Sequence, residues 1–345
     1  MIAPIFHAWE RRLASVTTDR VVRPFEWGAD WIPQNGLPPT APAVDRLAAF
    51  ASEAMADSDG FFSPAPTDDY HFDAPRGALR FPSAFITPHP ENNTVHARFF
   101  PARVKAGAPP DRRRAVVVLP QWNADPEGHV GLCRLLAWFG INALRLSLPY
   151  HDARMPPELH RADYIVSANL GRTLQVCRQA VLDARRAIQW LAATGHERVG
   201  VLGTSLGSCL AMLTACHEPL VRAAALNHIS PYFADVVWRG LSTEHVRQGL
   251  DGHVDLDLLR RLWMPISPQA YIDRLRGRRV LLVYAKYDLS FPIDLSRTLV
   301  DDFRARGLEP EVAVLPCGHY STGLSPFKWM DGYVLTRFLH ASLSG

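Results

Sequence analysis

From residue 114 onward, short apolar runs alternate with segments of helical pattern, and this alternation constrains the fold more than any other feature. The runs are RAVVVLP (114–120), INALRLSLP (141–149), RVGVLGT (198–204), VRAAALNHI (221–229), RRVLLVYAKYD (278–288) and EVAVLPCGH (311–319). Their apolar residues are consecutive rather than alternating, which indicates strands buried on both faces, as in a parallel sheet. We therefore predict an α/β fold with a central, mostly parallel sheet flanked by helices.

Two further segments extend this prediction. The stretch from 168 to 194 has apolar residues at alternating spacings of four and three, which predicts one long amphipathic helix. Upstream, LRFPSAFITP (79–88) and VHARFFPARV (95–104) flank the turn-rich HPENN, which predicts a β-hairpin ahead of the parallel strands.

The same patterns divide the chain. Residues 1–77 are irregular apart from one helical stretch, and we expect an N-terminal extension whose role the sequence does not assign. Residues 78–345 form the expected main domain, which contains the predicted sheet. Within it, 230–276 separate two core strands by far more than the usual two to six residues, and they are rich in aromatic and helix-forming residues. This insertion is either decorative or, as we expect, a cap over a pocket at the carboxyl ends of the strands.

Composition excludes several classes of protein. The chain is 48% hydrophobic and 21% charged, and its net charge of +3 gives no reason to expect a nucleic-acid partner. No run approaches the ~20 apolar residues of a membrane span, and the N-terminus has no pattern of a secretory signal. Five cysteines without CxxC spacing indicate reduced, buried thiols and a cytoplasmic location. The oligomeric state is left open.

The segment GVLGTSLGSCLAM (200–212) places Ser205 between Gly203 and Gly207 at a predicted strand-to-helix turn. Glycines at these positions allow a strand and a helix to approach closely around a strained residue, as at a nucleophilic serine. The first N–H of the following helix, that of Leu206, would lie beside the hydroxyl and could stabilise an oxyanion. The alternative is a serine that only completes a buried turn.

A serine hydroxyl needs a base, and the base needs an orienting acid. His319 follows the last apolar strand, after Gly318, and is the predicted base. Asp288 follows the preceding strand and is the predicted acid, with Asp235 as the second candidate. The nearby Asp294 is expected to be a solvated residue of a first helical turn.

With serine, aspartate and histidine in this order, residues 80–340 resemble the α/β-hydrolase superfamily of serine hydrolases, which share the G-x-S-x-G turn. The resemblance implies an α/β-hydrolase fold, a Ser205–His319–Asp288 triad and a covalent acyl-enzyme. The expected substrate is a small acyl compound, and the expected enzyme is a carboxylesterase.

One segment departs from the superfamily. Many members have His-Gly after the strand that supplies the second oxyanion N–H, whereas this chain has Pro120-Gln121. Proline has no N–H to donate, so the backbone of Trp122 is the first candidate and that of Gln121 the second. The Trp122 side chain belongs either to the core or to the acyl pocket. Gln121 and Tyr150 are further candidates for the pocket wall.

Other chemistries have weak support. Cys317 and His319 have no further ligand at a suitable spacing, so no metal is expected. No G-x-G-x-x-G follows a strand, so no dinucleotide cofactor is expected, and the prediction is an enzyme without cofactors.

A triad also serves peptidases and acyltransferases, and a hydrolase fold can be an inactive binding module. A leader of this size is short for the large N-terminal domain of oligopeptidases, so an esterase is preferred.

Overall fold

A computed structural model describes residues 2–33, 37–103 and 114–344. Its centre is a nine-stranded sheet with the order β1-β2-β3-β5-β4-β6-β7-β8-β9. The pairs β1–β2, β2–β3 and β3–β5 are antiparallel, and all pairs from β5 to β9 are parallel. The predicted mostly parallel sheet is therefore confirmed. The strands are β1 (His71–Asp73), β2 (Ala78–Pro82), β3 (Thr94–Phe100), β4 (Arg114–Leu119), β5 (Asn142–Leu146), β6 (Arg198–Thr204), β7 (Val221–Asn227), β8 (Arg279–Ala285) and β9 (Glu311–Leu315).

Helices cover both faces of the sheet. They are α1 (Ala3–Ala14), α2 (Ala43–Ala56), α3 (Ser58–Phe61), α4 (Val130–Trp138), α5 (Leu170–Ala193), α6 (Leu206–His217), α7 (Phe233–Arg239), α8 (Glu244–Leu250), α9 (Leu256–Leu262), α10 (Ile293–Ala305) and α11 (Phe327–Leu343), with short 3₁₀ turns between some of them. None of the helices in the described part of the chain is long and apolar enough to cross a membrane.

Strand β4 shows why the sequences of the central strands are continuous runs of apolar residues. Val117 and Leu119 belong to one hydrophobic cluster, together with residues of α5 and α6. Val116 and Val118 point to the other face and belong to a second cluster, with residues of α4 and α11. Because successive side chains of a strand point to opposite faces, a strand covered on both sides has no polar alternation.

The predicted hairpin and long helix both occur. Strands β2 and β3 pair across a turn that contains HPENN, and Val104, the end of the predicted second run, lies outside the described residues. Helix α5 spans 24 residues, close to the predicted limits. The sequence patterns did not indicate β1, which pairs with β2 and adds residues of the N-terminal segment to the sheet.

The insertion between β7 and β8 is helical, as predicted. It contains α7, α8, α9 and 3₁₀ turns, and α9 packs against α2 of the N-terminal segment. All five cysteines are buried and free, as their distribution in the sequence suggested.

Candidate active site

The turn between β6 and α6 holds Ser205 in a strained conformation. Its backbone angles are φ 57° and ψ −121°, a combination that residues with a Cβ rarely adopt. The turn is fixed on both sides, because Ser205 N donates to Asn227 O (2.8 Å) and Ser208 N donates to Ser205 O (2.9 Å). The serine therefore sits on a sharp turn directly before a 12-residue helix.

The two glycines that flank Ser205 allow this turn to pack closely. A Cβ on Gly203 would overlap the backbone of Gly207, and a Cβ on Gly207 would overlap the carbonyls of Leu119 and Pro120. Helix α6 can therefore begin against the end of β4. This contact brings the segment that follows β4, which contains the candidate oxyanion donors, next to Ser205.

His319 and Asp288 are joined by a hydrogen bond. His319 Nδ1 donates to Asp288 Oδ2 at 3.0 Å, and the ring of Phe291 stacks on the imidazole with centroids 5.3 Å apart. The other carboxylate oxygen of Asp288 accepts from the backbone N–H groups of Ser290 (2.8 Å) and Phe291 (2.7 Å). The carboxylate and the imidazole are thus both held in one orientation, with His319 Nε2 left for another partner.

A second histidine, His228, binds the same carboxylate. His228 lies just after β7 in a left-handed conformation (φ 56°), and its Nδ1 donates to Asp288 Oδ2 at 2.8 Å. Its ring lies 4.6 Å from that of His319, and its buried Nε2 has no hydrogen-bond partner among the described residues. The sequence showed His228 only as the end of a strand. The sequence does contain one indication of its role: His228 follows a parallel strand, as Asp288 and His319 do, and such positions lie at the same edge of the sheet.

The electrostatics distinguish the two histidines. Burial lowers the pKa of His228 in spite of its bond to Asp288. Burial also acts to lower the pKa of His319, but the charge of Asp288 and the hydrogen bond to it prevail, and the pKa of His319 is raised. Burial opposes ionisation of Asp288, yet the two imidazoles keep its pKa well below the usual range. His319 is therefore the stronger base of the pair.

Ser205 and His319 face the same space but are not hydrogen-bonded. Both line the larger of two cavities at this site, and no hydrogen bond between Ser205 Oγ and His319 Nε2 is present among the described residues. In unliganded enzymes such hydrogen bonds are often long and tighten only around substrate. The structure thus brings together the three residues predicted as a triad, with the serine on one side and the His–Asp pair on the other.

The predicted oxyanion donors lie beside the serine. Leu206 is the first residue of α6, and Trp122 and Gln121 follow β4. The backbone N–H groups of these three residues have no hydrogen-bond partner within the described ranges. The Trp122 indole donates to Ala162 O at 2.9 Å, which fixes its side chain in the wall shared by both cavities.

The two cavities differ in character. The smaller one contains about 460 Å³, including its opening to solvent, and is mainly apolar, with residues of the 230–276 insertion in its wall. The larger one contains about 2290 Å³, including its opening to solvent, and its wall mixes apolar residues with many polar and charged ones, among them His319 and Gln121. Ser205 and Trp122 line both cavities, so the two meet at the serine.

Three other candidates lie away from the cluster. Tyr150, a predicted pocket residue, lines neither cavity. It is fully buried, and its hydroxyl is hydrogen-bonded to His89 Nδ1 at 2.9 Å. Asp235, the second candidate for the acid, is paired with Arg260 at 2.6 Å. Asp294 is in the first turn of α10, paired with Arg239.

A metal ion has one conceivable position among the described residues. His228, Asp288 and His319 offer ligand atoms within 4.8 Å of one another. However, the Nδ1 atoms of both histidines already donate to Asp288 Oδ2, at 2.8 and 3.0 Å. A cation bound through these Nδ1 atoms would have to displace both protons, so this face of the cluster suits hydrogen bonding better than metal binding.

The N-terminal segment reaches this site through Glu10. Its side chain is fully buried, and its carboxylate accepts from Tyr320 N (2.8 Å) and Ser321 N (3.0 Å). A Cβ on Gly318 would overlap the Glu10 carboxyl group, so the glycine provides the space for it. Helix α1 therefore anchors the loop that carries His319, a contact that no local pattern of the sequence indicates.

We expect Glu10→Ala to lower the free energy of unfolding by about 2–4 kcal/mol. One buried and one partly buried N–H group would lose a charged acceptor, and such bonds contribute about 1.5–3 kcal/mol each, partly replaced by water. Urea unfolding followed by circular dichroism measures the change. Glu53→Ala, on the exposed face of α2, is the matched control and should change stability by no more than about 0.5 kcal/mol. Equal effects of the two variants would show that the Glu10 contact is not stabilising.

Comparisons with known proteins identify the fold. No protein-family model and no curated protein sequence matches this chain. Among solved structures, the acetyl xylan esterase from Paenibacillus sp. R4 matches with a TM-score of 0.62 and 16% identity, over 93% of this chain and 100% of that one. An esterase from Pyrococcus furiosus matches with a TM-score of 0.54 and 12% identity, over 81% of this chain and 98% of that one.

A larger enzyme matches only in part. The acylaminoacyl peptidase from Pyrococcus horikoshii has a TM-score of 0.60 and 14% identity, over 80% of this chain. The chain spans only 42% of that peptidase's length. These similarities and the mostly parallel sheet show that the chain has the α/β-hydrolase fold, as its resemblance to that superfamily implied.

Proposed function

We propose that the chain is a serine hydrolase that cleaves carboxylic esters, with Ser205 as nucleophile, His319 as base and Asp288 as the orienting acid. The observation that carries the proposal is the strained Ser205 turn facing an imidazole that is fixed by a buried carboxylate. A serine in this conformation costs about 1–3 kcal/mol, which a purely structural turn could avoid with glycine.

In the first step, Ser205 Oγ attacks the ester carbonyl carbon, and its proton passes to His319 Nε2. The charge that develops on the carbonyl oxygen would be stabilised by the N–H groups of Leu206 and Trp122, with Gln121 as the other candidate. The C–O bond to the alcohol then breaks, and His319 gives its proton to the leaving oxygen.

In the second step, water attacks the acyl-enzyme and gives a proton to His319, which returns it to Ser205 as the acid leaves. Asp288 holds His319 with Nδ1 protonated and stabilises the imidazolium in both steps. The raised pKa of His319, which arises from the Asp288 charge against the effect of burial, favours its acceptance of the proton.

Ester hydrolysis is preferred over peptide hydrolysis and acyl transfer. The match to the acetyl xylan esterase extends over 93% of this chain and 100% of that enzyme. The smaller cavity is mainly apolar and suits a short acyl chain.

We also propose roles for the other segments. Residues 230–276 serve as a cap, since Phe233, Val236 and Val237 of this insertion line the smaller cavity together with Ser205. Residues 1–77 form an extension that supports the catalytic domain at 78–345 through Glu10. A cytoplasmic location is proposed from the five free, buried thiols.

Labelling with a fluorophosphonate probe tests the proposed function. We expect the native protein to be labelled in a single peptide that contains Ser205, identified by mass spectrometry, because only an activated serine reacts with this probe. The matched control is the same protein unfolded by heat, which should not be labelled. Absence of labelling in the folded protein would favour an inactive binding module.

A further inference from the structure

The two cavities meet at Ser205, and under the proposed function the position of His319 would determine which part of the substrate enters which cavity. His319 lines the larger cavity and not the smaller one. Under the proposed function, His319 gives its proton to the departing alcohol, so the alcohol must lie on the side of His319. The acyl group then occupies the smaller cavity, whose apolar wall includes Val166, Cys209, Phe233, Val237 and Phe291.

The cavity on the leaving-group side is strongly basic. Its wall includes five cationic side chains, those of Arg20, Arg103, Arg134, Arg161 and Lys328. Only Arg161 has an ion pair among the described residues, with Asp19 at 2.9 Å and, more distantly, Asp163. Four cations around one cavity therefore have no carboxylate partner in the described part of the chain.

Contacts within the wall leave these cations available. Arg20 donates to the Tyr320 hydroxyl at 2.9 Å, while its buried Nε has no hydrogen-bond partner in the described ranges. Arg103 lies over the ring of Trp138 at 4.1 Å, and Lys328 lies 5.1 Å from the ring of Trp329. Stacking on a ring orients a cation without neutralising its charge.

Asp331 is the one carboxyl group among the described residues that line this cavity, and it offsets little of the charge. Its Oδ2 accepts from Asn227 Nδ2 at 2.9 Å, and its buried Oδ1 has no partner among the described residues. Burial raises the pKa of Asp331 to about 7. At neutral pH this group is therefore only partly ionised, and the cavity keeps an excess of positive charge.

We propose that the alcohol part of the substrate carries a phosphate group, which binds among these cations while the acyl chain fills the apolar cavity. This inference rests on the proposed esterase function and specifies its substrate class. Arginine is well suited to phosphate, because its planar fork of donors matches two phosphate oxygens. The products are a carboxylic acid and the phosphorylated alcohol, with one water consumed.

The test compares esters with the same acyl chain whose alcohol parts are neutral, phosphorylated or carboxylated. The substrates are the butyryl ester of glycerol, that of glycerol 3-phosphate and that of glycerate, which carries a carboxylate. We expect kcat/KM for the phosphate ester to exceed that for the neutral ester by about 10–100-fold at low salt. Near 1 M salt, where the Debye length is about 3 Å, most of this preference should disappear.

Variants locate the source of the preference. Arg134→Gln and Lys328→Gln replace exposed helical side chains, so both proteins should fold. Each is expected to lower the phosphate-to-neutral ratio of kcat/KM about 3–10-fold, and the ratio itself corrects for general damage. Arg297→Gln, on the exposed face of α10, removes a charge that does not line either cavity and should leave the ratio unchanged.

The outcomes separate this inference from the function on which it rests. Hydrolysis of the neutral ester at a rate equal to or above that of the phosphate ester would overturn the inference and leave the esterase intact. Equal preference for the glycerate ester would overturn the choice of phosphate. Failure to hydrolyse all three esters, together with absence of fluorophosphonate labelling, would overturn the esterase itself.

Discussion

Replacement of Ser205 by alanine is expected to reduce kcat for ester hydrolysis by about 10⁶, because removal of a serine nucleophile usually costs about this factor. The residual rate would come from the oxyanion donors and from binding. Stability should hardly change, since alanine keeps the Cβ and therefore the strain of the turn at φ 57° and ψ −121°. Hydrolysis of p-nitrophenyl butyrate and thermal unfolding of the same samples measure both quantities.

Ser205→Gly sharpens this prediction. It should be as inactive as the alanine variant but more stable than the wild type. Glycine removes backbone strain of about 1–3 kcal/mol from the folded state. It also gives the unfolded chain more conformational freedom, which lowers the free energy of unfolding by about 0.5–1 kcal/mol. We expect a net gain of about 1 kcal/mol in the free energy of unfolding. A glycine variant no more stable than the alanine variant would mean that the turn is not strained, and an active alanine variant would exclude Ser205 as nucleophile.

The parts of the fold that sequence predicts well are those set by local patterns. Strand β4 and its parallel neighbours are continuous apolar runs because helices cover both faces, and α5 is visible from its apolar stripe. Ser205, Asp288 and His319 were predicted from their positions just after such strands. The carboxyl ends of parallel strands meet at one edge, so this position places them together without any knowledge of distances.

The remaining contacts are non-local and have no sequence signal. Glu10 binds the backbone of residues 320 and 321, about three hundred positions away, and an acidic residue in an N-terminal helix does not indicate this. From the sequence, His228 could be recognised only as the end of an apolar strand. Its hydrogen bond to Asp288 is seen only in the structure. Tyr150 is buried against His89 and lines neither cavity, a placement that no local pattern of the sequence indicates.

Two histidines, His228 and His319, bind Asp288, and only one of them should act as the base. Asparagine at either position can donate from Nδ2 to Asp288, as histidine Nδ1 does, but it has no counterpart of Nε2. We expect His319→Asn to lower kcat by about 10⁴ or more, because the proton acceptor is lost. We expect His228→Asn to lower it by no more than about tenfold, because the bond to Asp288 is kept.

This pair of variants tests the assignment of roles directly. His319 lies at 3.0 Å from Asp288 and His228 at 2.8 Å, so both substitutions disturb the same carboxylate and each controls for the other. If the larger loss occurs in His228→Asn, His228 is the base and His319 has the supporting role. Comparable losses in both would mean that the carboxylate needs two imidazoles, with its low pKa depending on their combined charge and hydrogen bonds.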